Sequence, residues 1–126
     1  MKKLIVFVLS LMLSTMAGFA GDETPAGAWE STTGESRYKV SMCGDGTQLC
    51  AKLTWLRSDA RTAENLQYLN KYVVRGAKAS GPNSWKGSVS VNGESATGSI
   101  TAIGTNKLRL IGCRIVLCQT MEFNRI

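Results

Sequence analysis

The sequence predicts an all-β fold, a small antiparallel barrel of about seven to nine strands with one short helix and two hairpin disulfides. Three observations point there. Apolar and polar residues alternate with a period of two through most of the chain, the pattern of strands with one buried face. Gly-, Asn- and Asp-rich turn signals separate these runs at short intervals. Four cysteines, Cys43, Cys50, Cys113 and Cys118, fall as two close pairs, each where two alternating runs meet at a hairpin end.

Met1-Lys2-Lys3 is a short cationic start, Leu4 to Met16 is almost wholly apolar, and Ala17-Gly18-Phe19-Ala20 supplies small residues. This is the pattern of a secretory signal peptide, with cleavage expected after Ala20. The apolar run is too short for a spanning helix, which needs about 20 residues, so the chain is not expected to span a membrane. Residues 21–126 then form a single domain, enough for one modest core. Without Lys2 and Lys3, 13 basic residues face 9 acidic ones, a net charge of +4. The cations are scattered singly along the alternating stretches, which reads as solvated strand faces, and no nucleic-acid partner is expected.

Tyr38, Val40 and Met42 alternate with Arg37, Lys39 and Ser41, and Leu49, Ala51, Leu53 and Trp55 alternate with Cys50, Lys52 and Thr54. Gly44-Asp45-Gly46-Thr47-Gln48 between them tolerates the positive φ of a tight turn. Placing Cys43 opposite Cys50 sets Met42 against Ala51, Val40 against Leu53 and Tyr38 against Trp55, with Ser41 meeting Lys52 and Lys39 meeting Thr54. All the apolar residues then share a face, which a one-residue slip would invert.

Asp59 to Leu69, with Ala63, Leu66 and Leu69 near a helical period, predicts a short helix that Asp59 is placed to cap. Tyr72-Val73-Val74 predicts a brief strand ending at Arg75-Gly76, and Ala79 to Asn83 a turn. Trp85, Gly87, Val89 and Val91 then alternate with Lys86, Ser88 and Ser90, Asn92-Gly93 signals a hairpin turn, and Ala96, Gly98, Ile100 and Ala102 alternate with Thr97, Ser99 and Thr101. These small inward residues favour a tightly curved barrel wall over a sandwich. Gly104-Thr105-Asn106 leads into the last hairpin. There, Cys113 opposite Cys118 sets Leu110 against Met121, Leu108 against Phe123 and Arg109 against Glu122, again with apolar residues on one face.

The expected bridges are therefore Cys43–Cys50 and Cys113–Cys118, although four cysteines permit three pairings and sequence alone leaves cross-linking between hairpins open. A zinc site is not expected, because the chain has no His and the cysteine spacings are wider than C-x2-C. Nor is a redox dithiol, which would show C-x-x-C.

Gly27-Ala28-Trp29 resembles the G-x-W opening of lipocalin-type barrels, in which the Trp plugs the closed end and an Arg of the last strand packs across it. Arg125, in phase with Met121 and Phe123, is the matching residue. The fuller resemblance is to the bacterial domain-of-unknown-function family 2147, small exported proteins with a lipocalin-like β-barrel. It is carried by Gly27-Ala28-Trp29, Val40 to Cys43, Leu49 to Leu56, Trp85-Lys86-Gly87, Leu108 to Cys113, and Leu117-Cys118 leading to Phe123-Asn124-Arg125. The family usually has Gly where this chain has Ala51 and Trp where it has Phe123. The resemblance implies a fold and an exported location, and no biochemical role.

No catalytic constellation is present. Without His a base would have to be a carboxylate or Lys, yet Glu30, Glu35, Asp45, Asp59, Glu64, Glu94 and Glu122 are dispersed singly, and no Ser sits in G-x-S-x-G. The expectation is a non-enzyme without cofactor or metal, periplasmic or secreted, whose partner is a small apolar or amphipathic ligand held in the barrel. Its pocket would draw on Tyr38, Leu53, Trp55, Val89, Ile100 and Leu110, with Trp85 nearer a rim and Arg75 and Lys78 as anchors for an anionic group. That requires a cavity of about 300 Å³ or more open to solvent. A filled interior would favour the alternative, an envelope or host protein–protein interaction module. Arg114-Ile115-Val116-Leu117 forms the tip of the last hairpin and is expected to fold over the barrel mouth.

Overall fold

The computed structural model describes residues 24–91 and 94–126. The signal-peptide reading and the Asn92-Gly93 turn fall outside these residues. Eight strands follow in order: β1 Gly27–Ser31, β2 Ser36–Cys43, β3 Gln48–Leu56, β4 Tyr72–Gly81, β5 Ser84–Val91, β6 Glu94–Ile103, β7 Lys107–Arg114 and β8 Leu117–Arg125. Each pairs antiparallel with its sequence neighbours, and β8 closes on β1, giving an up-and-down barrel without free edges. One end carries the start of β1, the end of β8 and the β2–β3, β4–β5 and β6–β7 turns. The other carries the β1–β2, β3–β4, β5–β6 and β7–β8 connections.

The inward residues form one continuous core running from Trp29 through Val40, Leu49, Val74, Val89, Ile100 and Leu108 to Phe123. At Gly98 an added Cβ would meet Val89 Cγ1 at 2.6 Å, so the wall opposite Val89 has no room for a side chain. A satellite cluster of Leu53, Leu56 and Ala60 packs with Tyr68 and Leu69 under the β3–β4 connection.

Both disulfides form, Cys43–Cys50 and Cys113–Cys118, on the outer face. In β7–β8 the register is the expected one, Cys113 facing Cys118, Leu110 facing Met121, Leu108 facing Phe123 and Arg109 facing Glu122. In β2–β3 it is corrected by two residues. Cys43 faces Gln48, Val40 faces Ala51, Lys39 faces Lys52 and Tyr38 faces Leu53. The cause is the turn: Gly44 and Gly46 take positive φ, Gly46 N–H donates to the Cys43 carbonyl at 2.9 Å, and the Asp45 carboxylate accepts from Thr47 N–H at 3.0 Å. The loop closes over Gly44 to Thr47, so Gln48, expected in the turn, is the first residue of β3, and the bridge spans a diagonal with a Cα–Cα distance of 6.0 Å. A shift of two keeps every side chain on its face, which is why the apolar pattern did not reveal it.

A second correction follows from a bulge. Arg37 faces Trp55 while Tyr38 faces Leu53, leaving Thr54 as the extra residue. The alternation changes phase there, so Leu56 turns inward and Trp55 turns out, beneath the Arg37 guanidinium at 4.3 Å. The middle of the chain is likewise more regular than expected. β4 is a single ten-residue strand that passes through Arg75-Gly76, where Gly76 takes φ 75° and the register slips. The β3–β4 connection holds a 3-10 turn, Ser58–Ala60, and a one-turn helix, α1, Ala63–Leu66. Thr62 caps that helix, its hydroxyl accepting from Asn65 N–H at 3.2 Å, while Asp59 is held instead by Arg57.

Candidate functional site

Trp29 closes the end at which β1 begins and β8 finishes. It is 1% exposed, its indole N–H donates to the Pro25 carbonyl at 2.8 Å, and the Arg125 guanidinium lies 4.4 Å from its ring. Arg125 also donates to three carbonyls, Ala26 at 2.8 Å, Thr24 at 3.2 Å and Thr105 at 2.8 Å. Gly27 belongs to this arrangement: at φ +139° an added Cβ would stand 2.7 Å from Arg125 Nη1. Trp85 sits at the same end, buried, with its indole N–H donating to the Thr47 carbonyl at 3.0 Å. It is part of the plug and not of a ligand rim, because β5 begins where the β2–β3 turn folds across it. Arg75 and Lys78 are exposed on the outer wall, away from the interior.

Above the plug lies an apolar well of about 60 Å³ whose lining includes Trp29, Tyr38, Val40, Val89, Ile100, Leu108, Leu110, Met121 and Phe123. Tyr38 meets Phe123 edge-on, ring centroids 5.3 Å apart, and burial pushes its phenol above the ordinary tyrosine range, with a Ser36 hydrogen bond opposing and Glu35 adding. The well has room for a short alkyl group only. Over it, at the opposite end from Trp29, opens a polar mouth of about 300 Å³ lined by Glu35, Ser36, Leu53, Leu56, Asp59, Ala60, Thr62, Asn65 and Tyr68. Tyr38, Val73, Ser90 and Met121 line both spaces, so the well and the mouth are neighbours that share one wall. Arg57 holds the rim together. It donates to both Asp59 carboxylate oxygens at 2.7 and 2.9 Å, lies 3.8 Å from Glu35, and lowers the Asp59 carboxyl below its ordinary range by that hydrogen bond.

Of the expected pocket residues, Tyr38, Val89, Ile100 and Leu110 line the well and Leu53 the mouth, whereas Trp55 is outside and Trp85 is in the plug. The mouth residues of the β3–β4 connection, Asp59, Thr62, Asn65 and Tyr68, fall in the stretch read as a short helix; its period set the helix but nothing in it placed these residues over the barrel. The β7–β8 tip does not cover the mouth. Ile115, Val116 and Leu117 are 96%, 85% and 75% exposed. Ile115 takes φ 55° in a two-residue turn between Arg114 and Leu117, and Arg114 pairs with Glu94 of β6, so the hairpin runs straight out.

The profile of a bacterial family described as "Uncharacterized protein conserved in bacteria (DUF2147)" matches residues 27–125. The chain belongs to this family. The match starts at Gly27 and ends at Arg125, the two residues in contact at the plug. No curated protein and no solved structure matches the chain. Among the described residues no helix is long and apolar enough to cross a membrane.

Proposed function

We propose that this DUF2147 protein is an exported, non-catalytic, lipocalin-like barrel that binds a small amphipathic ligand, its polar part in the mouth and a short apolar end in the well. The placing of a 300 Å³ polar mouth against a 60 Å³ apolar well, with four lining residues in common, carries this reading. The mouth reaches the size of small-molecule sites, and the well alone does not. Export is supported by the cationic and apolar start of the sequence and by two disulfides, which persist in oxidising compartments. Binding without turnover is supported by the state of the rim: Arg57 holds Asp59 ionised, which suits orientation of a polar group more than proton transfer.

Native mass spectrometry of the chain purified from its own envelope tests this. A single small-molecule adduct is expected, lost in Ser90→Phe, which blocks the passage from mouth to well; a chain without any adduct would overturn the reading. The exposed Ile115-Val116-Leu117 tip supports a second reading, an interaction module. Under that reading the same preparation would carry a protein partner, released by Ile115→Ser with Val116→Ser and indifferent to Ser90→Phe.

A further inference from the structure

The barrel gathers cations that the sequence scatters. Strands β2, β3, β4 and β5 hold Arg37, Lys39, Lys52, Arg75, Lys78 and Lys86 and not one Asp or Glu. The remaining four strands hold four cations and three acids. Each of the six neighbours an inward residue, Val40, Ala51, Val74, Ala77 and Trp85 among them, and so points outward on one half of the wall. Ion pairs among the described residues engage Arg37, Arg57, Lys107, Arg109 and Arg114; none engages Lys39, Lys52, Arg75, Lys78 or Lys86. Two of the cross-strand pairs are like-charged, Lys39 facing Lys52 and Lys78 facing Lys86. Such pairs oppose folding, and a bound anion would relieve them.

We propose that the outer face of β2–β5 binds a flexible, linear acidic polysaccharide, with the carboxylates or phosphates of successive sugars lying between these cations. Shape selects this partner over a membrane: the cations are spread over four of eight strands, half the circumference, and a flat surface touches only a narrow strip of such a cylinder. The aromatic residues select it over nucleic acid. Trp55 and Tyr72 lie on this face, with Arg37 over Trp55 at 4.3 Å and Lys52 over Tyr72 at 5.9 Å; two rings, each with a cation over one face, make a poor platform for stacking successive bases. Distributed charge, unpaired at all but Arg37, is what the face offers, and a chain that bends around the wall can meet all of it.

Titration of the purified chain with alginate, a polyuronate, tests the proposal across a salt series. Affinity is expected to fall linearly in log–log form with salt, and the K39Q/K52Q/K78Q/K86Q variant to bind about tenfold or more weakly, with a shallower salt slope. Lys107→Gln with Arg109→Gln, on the opposite wall, should stay within about twofold of the unaltered chain by the same salt-linked logic. Alginate should raise the melting temperature of the unaltered chain and leave that of the quadruple variant unmoved, so a folding defect would be visible on its own. Equal alginate binding by the quadruple variant would overturn the proposal. So would tighter binding to phosphatidylglycerol vesicles, which would make the partner a membrane, or to a single-stranded oligonucleotide, which would make it a nucleic acid.

Discussion

Arg125 does the most for its size. Its guanidinium lies over Trp29 and donates to three backbone carbonyls of the segments that meet at the plug. A planar fork can do this, and an ammonium cannot. Arg125→Ala is expected to cost about 2 kcal/mol, from one cation–π contact and three hydrogen bonds to backbone carbonyls, and Arg125→Lys to recover less than half of it. Urea unfolding checks both; a loss under about 0.5 kcal/mol for the alanine variant would show the contact to be incidental. At this scale the sequence was legible where phase was continuous. Arg125 shares phase with Met121 and Phe123, and its place was readable; Trp55 stands one residue beyond the Thr54 bulge, and its place was not.

The two hairpins closed by disulfides behave differently as elements. Cys113 and Cys118 face each other directly, with a Cα–Cα distance of 4.0 Å, below a two-residue turn. The bridge supports an apolar tip that is exposed. Closing loops this short is worth about 2 kcal/mol in the chain-entropy account. Cys113→Ala with Cys118→Ala should therefore lower stability by about that amount and let the tip fray, with hydrogen exchange rising at residues 111–120 while Leu108 and Phe123 stay protected. Uniform loss of protection along β7 and β8 would instead mean that the bridge sets the register of the whole hairpin. The β2–β3 hairpin shows why register was only half legible. Apolar alternation fixes which face a residue takes, and a two-residue shift satisfies it equally, so the Gly44–Thr47 turn chemistry made the choice.

Across the whole molecule, pH should limit stability from both sides. Asp45 is lowered by hydrogen bonds from Thr47, Asp59 by Arg57, and Glu122 by its hydrogen bond from Arg109 and the charge of Lys107. Groups lowered on folding stabilise the native state above their unfolded values, about 4, and that contribution is lost as pH falls through the lower folded values. Tyr38 is raised by burial, so its contribution is full below about pH 10 and is lost as pH rises beyond it. The melting temperature should be level between about pH 5 and 9, fall in acid below about pH 4, and fall again above about pH 10. Glu122→Gln should flatten the acid limb and Tyr38→Phe the alkaline one; unchanged limbs would show that other groups govern them. By itself the sequence determined the all-β class, the inward and outward faces wherever the strand phase runs unbroken, and the family, because each rests on local periodicity or on motifs short enough to read along the chain; it narrowed the cysteine partners to three pairings. Only the tertiary structure decided that residues of the β3–β4 connection form a mouth over the well, that the tip stands clear, and that six scattered cations share one wall. The reason is physical: periodicity encodes which side of a strand a residue takes, whereas strand order, turns and bulges decide which residues become neighbours across a closed barrel.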